Sequence, residues 1–180
     1  FWSGGKDSFL ALASLLQEKR NIVLLTSFGS LTNRVSIQNI HIKNIAKQSE
    51  FLKLPLCLVP LAPNTDYKAS IQEALKMITT QTGACIERLV FGDLHLQNIR
   101  QWRVDTWPEY EIATPLFDVP YIKLLDKLWE LQKEMDLSIT LSTELSLANE
   151  TLAIGTPYTQ LLVDRLKENN VDAMLENGEA

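Results

Sequence analysis

The chain has 180 residues, enough for one compact domain with a substantial core of its own. A hydrophobic share of 46% beside 22% charged residues is that of a soluble globular protein and excludes a disordered or membrane-embedded chain. No apolar run reaches the roughly 18 to 20 residues of a membrane span and no signal segment opens the chain, so a cytoplasmic place is expected; the net charge of −5 argues against nucleic acid as a partner and favours a small or protein substrate.

In chain order, Phe1 and Trp2 read as the end of a buried first strand. With the abrupt far end, this predicts a fragment lacking the start of that strand and a C-terminal extension. After a glycine turn, Leu12, Leu15 and Leu16 recur at helical spacing, and charge over 17–20 closes the helix. A buried strand follows at 22–26, and the irregular stretch 27–39 reads as the mobile loop. A helix over 41–52 leads to a short strand at 56–61, restricted by Pro55 and Pro60. The next helix covers 69–80. A strand at 88–91 ends at Gly92-Asp93, after which Leu96, Ile99, Arg100 and Arg103 share one helical sector. A helix over 121–135, a strand at 138–141 and a helix over 159–167 complete the pattern. Strands alternating with helices predict an α/β fold, a parallel sheet joined by helical crossovers, in a single domain over 1–180. Cys57 and Cys85 have no metal spacing and read as reduced core residues.

The chemistry concentrates in Ser3-Gly4-Gly5-Lys6-Asp7-Ser8. Two glycines between a strand and a helix allow a tight turn whose N–H groups approach an anion closely. The hydroxyls of Ser3 and Ser8, the charge of Lys6 and the positive end of the following helix all favour phosphate. Asp7 would repel a bare phosphate, so its presence points to Mg²⁺ held between carboxylate and phosphate oxygens. The competing reading is a helix-capping turn, but the ordinary P-loop spacing is absent and six specified residues fall between an aromatic strand end and a helix.

That hexapeptide resembles the pyrophosphate loop of the N-type ATP pyrophosphatases, the adenine-nucleotide alpha-hydrolase superfamily, whose common step cleaves ATP between the α- and β-phosphates. The resemblance implies a Rossmann-like sheet sandwiched by helices, of HUP type. Gly92-Asp93 with Arg100 and Arg103, then Thr114-Pro115-Leu116-Phe117, then Glu176-Asn177-Gly178-Glu179 narrow it to the diphthine–ammonia ligase family. Where the better-known members carry a tyrosine-containing stretch after Gly-Asp, this chain has Leu94-His95-Leu96-Gln97-Asn98-Ile99, closer to bacterial-type relatives.

The resemblance implies that Ser3, Gly4, Gly5, Lys6, Asp7 and Ser8 cradle the phosphates, with Thr26 and Ser27 flanking the adenine. Lys6 would stabilise the leaving pyrophosphate and Asp7 would hold Mg²⁺. Gly92 and Asp93 fall at a strand's carboxyl end, where Asp93 either contacts the nucleotide or metal or caps the next helix. Arg100 and Arg103, three apart, suit phosphate or carboxylate clamping, though exposed arginines are commonly only solvated. Glu176 and Glu179 would hold ammonia or a cationic substrate; without the family they read as a hairpin turn. His95 reads as a surface or packing residue, and Trp102 and Trp107 as core or interface anchors. The expected activity is ATP-dependent ligation of ammonia or an amine to a carboxylate on a small molecule or protein, releasing AMP and pyrophosphate. Alternatives are a tRNA-modifying relative or a non-enzymatic nucleotide-binding module, and a homodimer stays open.

Overall fold

The computed structural model describes residues 1–16, 18 and 21–176. They fall into two compact units, Phe1–Ser36 with Ile40–Asp118, and Ile37–Asn39 with the chain from Val119 onward.

In the first unit, α1 (Lys6–Leu16) is followed by β1 (Leu24–Gly29), α2 (Ile42–Leu52), β2 (Leu56–Leu61), α3 (Tyr67–Thr82), β3 (Arg88–Val90), α4 (Gln97–Thr106) and β4 (Glu111–Ala113). β1 pairs with β2 and β3 with β4, both in parallel. Residues 1–2 link the two pairs. The Trp2 N–H donates to Leu25 O (2.8 Å) and the Phe1 nitrogen donates to Val90 O (2.7 Å). The order across is therefore β2, β1, residues 1–2, β3, β4. The first segment thus lies at the centre, with strands added outward on both sides, so the fold is the Rossmann-like α/β arrangement expected.

Burial explains why these segments hold. Ile71, Ala74, Leu75 and Ile78 recur along α3 at helical spacing and pack with Leu25, Val59 and Leu89 of the strands. Burying each of the larger side chains contributes about 2 kcal/mol. Asp66 starts α3 by accepting from the Ala69 N–H (3.1 Å), and Gly83 stops it in the left-handed region at φ 68°. α1 is apolar almost all round, with every residue from Ser8 to Ala13 buried, whereas Leu16 is 48% exposed. Its core face is therefore the 9–13 stretch, earlier than the leucine spacing indicates. The charge expected to close it falls partly on Lys19 and Arg20, which with Gln17 lie outside the described residues.

In the second unit, α5 (Tyr121–Glu134) precedes an antiparallel hairpin of β5 (Leu145–Leu147) and β6 (Glu150–Leu152), then α6 (Gln160–Glu168). Leu124, Leu125, Leu128 and Leu131 of α5 and Leu162, Val163 and Leu166 of α6 are buried. Tyr158 is buried as well, and its hydroxyl donates to Ala173 O.

Several expectations need correction. The first internal strand extends through Gly29, so 27–29 belong to a strand rather than a loop. The segment 138–141 is not a strand. It makes one isolated bridge, Thr140 to Pro157, and Leu141 and Tyr158 donate singly across to Thr156 O and Ile139 O. β4 and the β5–β6 hairpin were not expected. Cys57 is buried, as anticipated, but Cys85 is exposed.

Candidate functional site

The glycine loop runs from the central segment into α1. Gly4 adopts φ 80°, a conformation L side chains rarely take, and an added Cβ would fall 2.5 Å from Ile45 Cδ1. The Ser3 hydroxyl accepts from the Gly5 N–H (3.3 Å) and donates to Ser8 Oγ (3.2 Å), while the Ser8 hydroxyl donates to Gly5 O (2.9 Å). The Phe9 N–H donates to Gly5 O (3.1 Å) and closes the first turn of α1. The first N–H groups of a helix have no intrahelical acceptor, so this turn offers donors to an anion.

Lys6 and Asp7 pair at 2.9 Å through Asp7 Oδ2. Asp7 Oδ1 is buried and has no hydrogen-bond partner. A carboxylate oxygen withdrawn from water without a donor is costly. It fits a site completed by a cation. Among the described residues no group of three or more His, Cys, Asp or Glu could hold a metal alone.

Gly92 packs directly against this loop. A Cβ on Gly92 would lie 2.8 Å from both the carbonyl carbon and oxygen of Asp7 and 3.0 Å from Ser8 N. Only glycine permits that approach of the β3–α4 junction to the start of α1. The structure thus brings Ser3 to Ser8 and Gly92 together at one end of the strands.

Asp93 does not cap α4, whose N-cap Leu96 has no side-chain hydrogen bond. Its carboxylate instead receives both arms of Arg103, from Nε (2.5 Å) and Nη2 (2.8 Å). The Arg103 guanidinium also lies 3.8 Å from the Phe91 ring centroid. Arg100, one turn earlier, is exposed. It donates from Nε to Thr114 Oγ1 (3.1 Å), and its guanidinium carbon lies 4.9 Å from the centroid of the Phe117 ring. Arg100 is therefore held by the Thr114 to Phe117 motif, and Arg103 by Asp93.

Thr26 is buried, its hydroxyl donating to Trp2 O (2.6 Å). The Ser27 side chain hydrogen-bonds Tyr67. Burial pushes the Tyr67 hydroxyl up, opposed by the Arg103 charge and the Ser27 hydrogen bond. The Tyr67 ring centroid lies 6.2 Å from those of Trp102 and Trp107. Trp107 is fully buried, whereas Trp102 is 45% exposed, so only the former is a core anchor. His95 is exposed and precedes α4.

Glu176 belongs to the second unit, where its N–H donates to Asp172 Oδ2 (3.4 Å). Glu179, with Asn177 and Gly178, lies outside the described residues.

Tyr67 and Gln48 were not anticipated from sequence. A glutamine within an amphipathic helix carries no signal that separates it from a solvated surface residue. Its contacts become visible only once α2 is placed beside the loop: Gln48 Nε2 donates to Gly4 O (3.1 Å) and its Oε1 accepts from Trp2 Nε1 (2.9 Å).

The family profile described as the diphthamide synthase N-terminal domain matches residues 1–107. The chain belongs to that family. Membership in the diphthamide synthase N-terminal domain family makes this an ATP-using, PP-loop type chain, as the Ser3 to Ser8 resemblance implied. The match spans the loop, Gly92-Asp93, Arg100 and Arg103. No curated protein matches the chain. No helix among the described residues is long and apolar enough to cross a membrane.

Proposed function

We propose that this protein is an ATP-dependent amide ligase resembling diphthine–ammonia ligase, acting on a carboxylate borne by a small molecule or a protein. The observation that carries this reading is the start of α1, where Gly92 presses against the Asp7 backbone and the Asp7 Oδ1 atom is buried without a donor. An ATP-using family supplies the context.

In this reading a carboxylate oxygen of the acceptor attacks the α-phosphorus of ATP. The bond to the bridging oxygen breaks and pyrophosphate leaves with the electron pair. The nitrogen of ammonia or an amine then attacks the acyl carbon, AMP leaves, and the nitrogen sheds one proton. The loop N–H groups, Ser3, Gly4, Gly5 and Ser8 bind the phosphates, and Lys6 neutralises charge on the leaving pyrophosphate. Asp7 would hold Mg²⁺, which supplies charge neutralisation at phosphate oxygens; one carboxylate plus phosphates is its usual ligand set. Thr26 and Ser27 flank the adenine. Asp93 and Arg103 act as a pair that fixes the β3–α4 junction, and Arg100, oriented by Thr114 and Phe117, takes the acceptor carboxylate or a phosphate. Glu176 and Glu179 hold the ammonia. We place the whole chain, 1–180, in one ATP-binding role in the cytoplasm, without nucleic acid, and a homodimer is compatible with it.

The test is product analysis. Full-length protein is incubated with ATP, MgCl₂, ammonium chloride and a panel of candidate carboxylates. The proposal expects AMP and pyrophosphate in equal amounts with the amide formed. ADP and phosphate in their place would contradict it, and nucleotide binding without turnover on any carboxylate would favour a binding module.

A further inference from the structure

We propose that Gln48 is a positioning residue that holds the phosphate loop in its anion-binding form from α2; this rests on reading the Ser3 to Ser8 loop as the triphosphate seat. One side-chain amide serves two partners of opposite kind. Its Nε2 donates to Gly4 O (3.1 Å), and its Oε1 accepts from the Trp2 indole N–H (2.9 Å). An indole N–H can only donate and a backbone carbonyl can only accept, so the amide has a single orientation that satisfies both. Trp2 is buried, which fixes the indole end.

The loop needs such a hold. Gly4 and Gly5 have no Cβ, so the peptide between them is the part of the loop freest to rotate. In a planar trans peptide the carbonyl and the N–H point opposite ways. Holding the Gly4 carbonyl toward Gln48 keeps the Gly5 N–H on the other side, where the linked Ser3 and Ser8 hydroxyls lie. A flipped peptide would break the Gly5 N–H bond to Ser3 Oγ and turn an oxygen toward the anion side of the loop. Packing adds to the constraint. A Cβ on Gly4 would fall 2.8 Å from Gln48 Oε1, and Ile45, one turn before Gln48, is fully buried against the same glycine. Gln48 thus lets a helix 44 residues away in sequence from Gly4 set the loop's geometry.

Two variants separate the hydrogen bonds. Gln48→Met removes both at similar volume; Gln48→Glu keeps an acceptor for Trp2 but offers no donor to Gly4. Calorimetry measures α,β-methylene-ATP with Mg²⁺, AMP is measured by its competition with that analogue, and the Trp2 indole N–H is followed by NMR. Both variants are expected to bind the analogue about 10-fold more weakly, with AMP affinity changed less than about twofold. In the wild type, the Trp2 indole signal is expected to shift on adding the analogue and not on adding AMP. Unchanged analogue affinity in both variants, or equal losses for analogue and AMP, would overturn the assignment to Gln48. If the wild type binds neither nucleotide, the ATP reading itself fails and this proposal with it.

Discussion

The two ends of the strands in the first unit are built on opposite principles. At the carboxyl ends, polar groups crowd against backbone: Gly92 meets Asp7, Gly4 meets Gln48, and Asp7 Oδ1 is buried without a partner. At the amino ends lies a small pocket lined by Val23, Pro55, Cys57, Met77 and Ile78, with Gln81 and Thr82 as its polar members. The amino end has a concavity; the carboxyl end carries the cost. Unsatisfied charge and forced glycines are expensive to fold, so they mark the functional end better than a hollow does.

The contrast breaks first if glycine at the carboxyl end proves dispensable. Gly92→Ala should cost about 3 kcal/mol of stability and at least about 100-fold in affinity for an ATP analogue, because its Cβ would meet backbone that cannot step aside. Chemical denaturation and calorimetry read the two losses. Next in size is Arg103→Ala. It leaves the Asp93 carboxylate without its bidentate partner and removes the contact with Phe91, for a loss of about 2 kcal/mol. Arg103→Lys should recover little of this, since an ammonium cannot reproduce the fork. Arg100→Ala, by contrast, should change stability by less than about 0.5 kcal/mol, because the residue is exposed. A large stability loss there would erase the distinction between the two arginines.

The smallest effect belongs to the amino end. Burial pushes the Cys57 thiol up, so at neutral pH it stays protonated, and its side chain is enclosed. Iodoacetamide should therefore label Cys85 in the native protein and leave Cys57 intact, as peptide mass mapping would show. Labelling Cys85 should leave nucleotide affinity unchanged.

Much of this organisation was legible in the sequence because its signals are local. The hexapeptide needs no partner to be recognised, and β2 stands at 56–61 because its apolar residues, with Pro55 just before it and Pro60 near its end, define it locally. What escaped depends on distant chain. β4 has only Glu111, Ile112 and Ala113 and exists by pairing with β3. Ser27 to Gly29 look irregular alone but pair with Val59 to Leu61. The 138–141 stretch has strand-like composition, yet it finds only an isolated bridge. At the site, the presence of Arg100 and Arg103 was readable, but not their division of labour. That follows from Asp93 and Thr114 reaching α4 from two different strand ends.

The central claim is that the Ser3 to Ser8 loop is a nucleotide seat completed by a cation at Asp7. Calorimetric titration of the full-length wild type and Asp7→Ala with α,β-methylene-ATP and Mg²⁺ tests it most directly. The account predicts binding by the wild type and a loss of at least about 10-fold in the variant. Absence of binding by the wild type, or equal binding by Asp7→Ala, would contradict it.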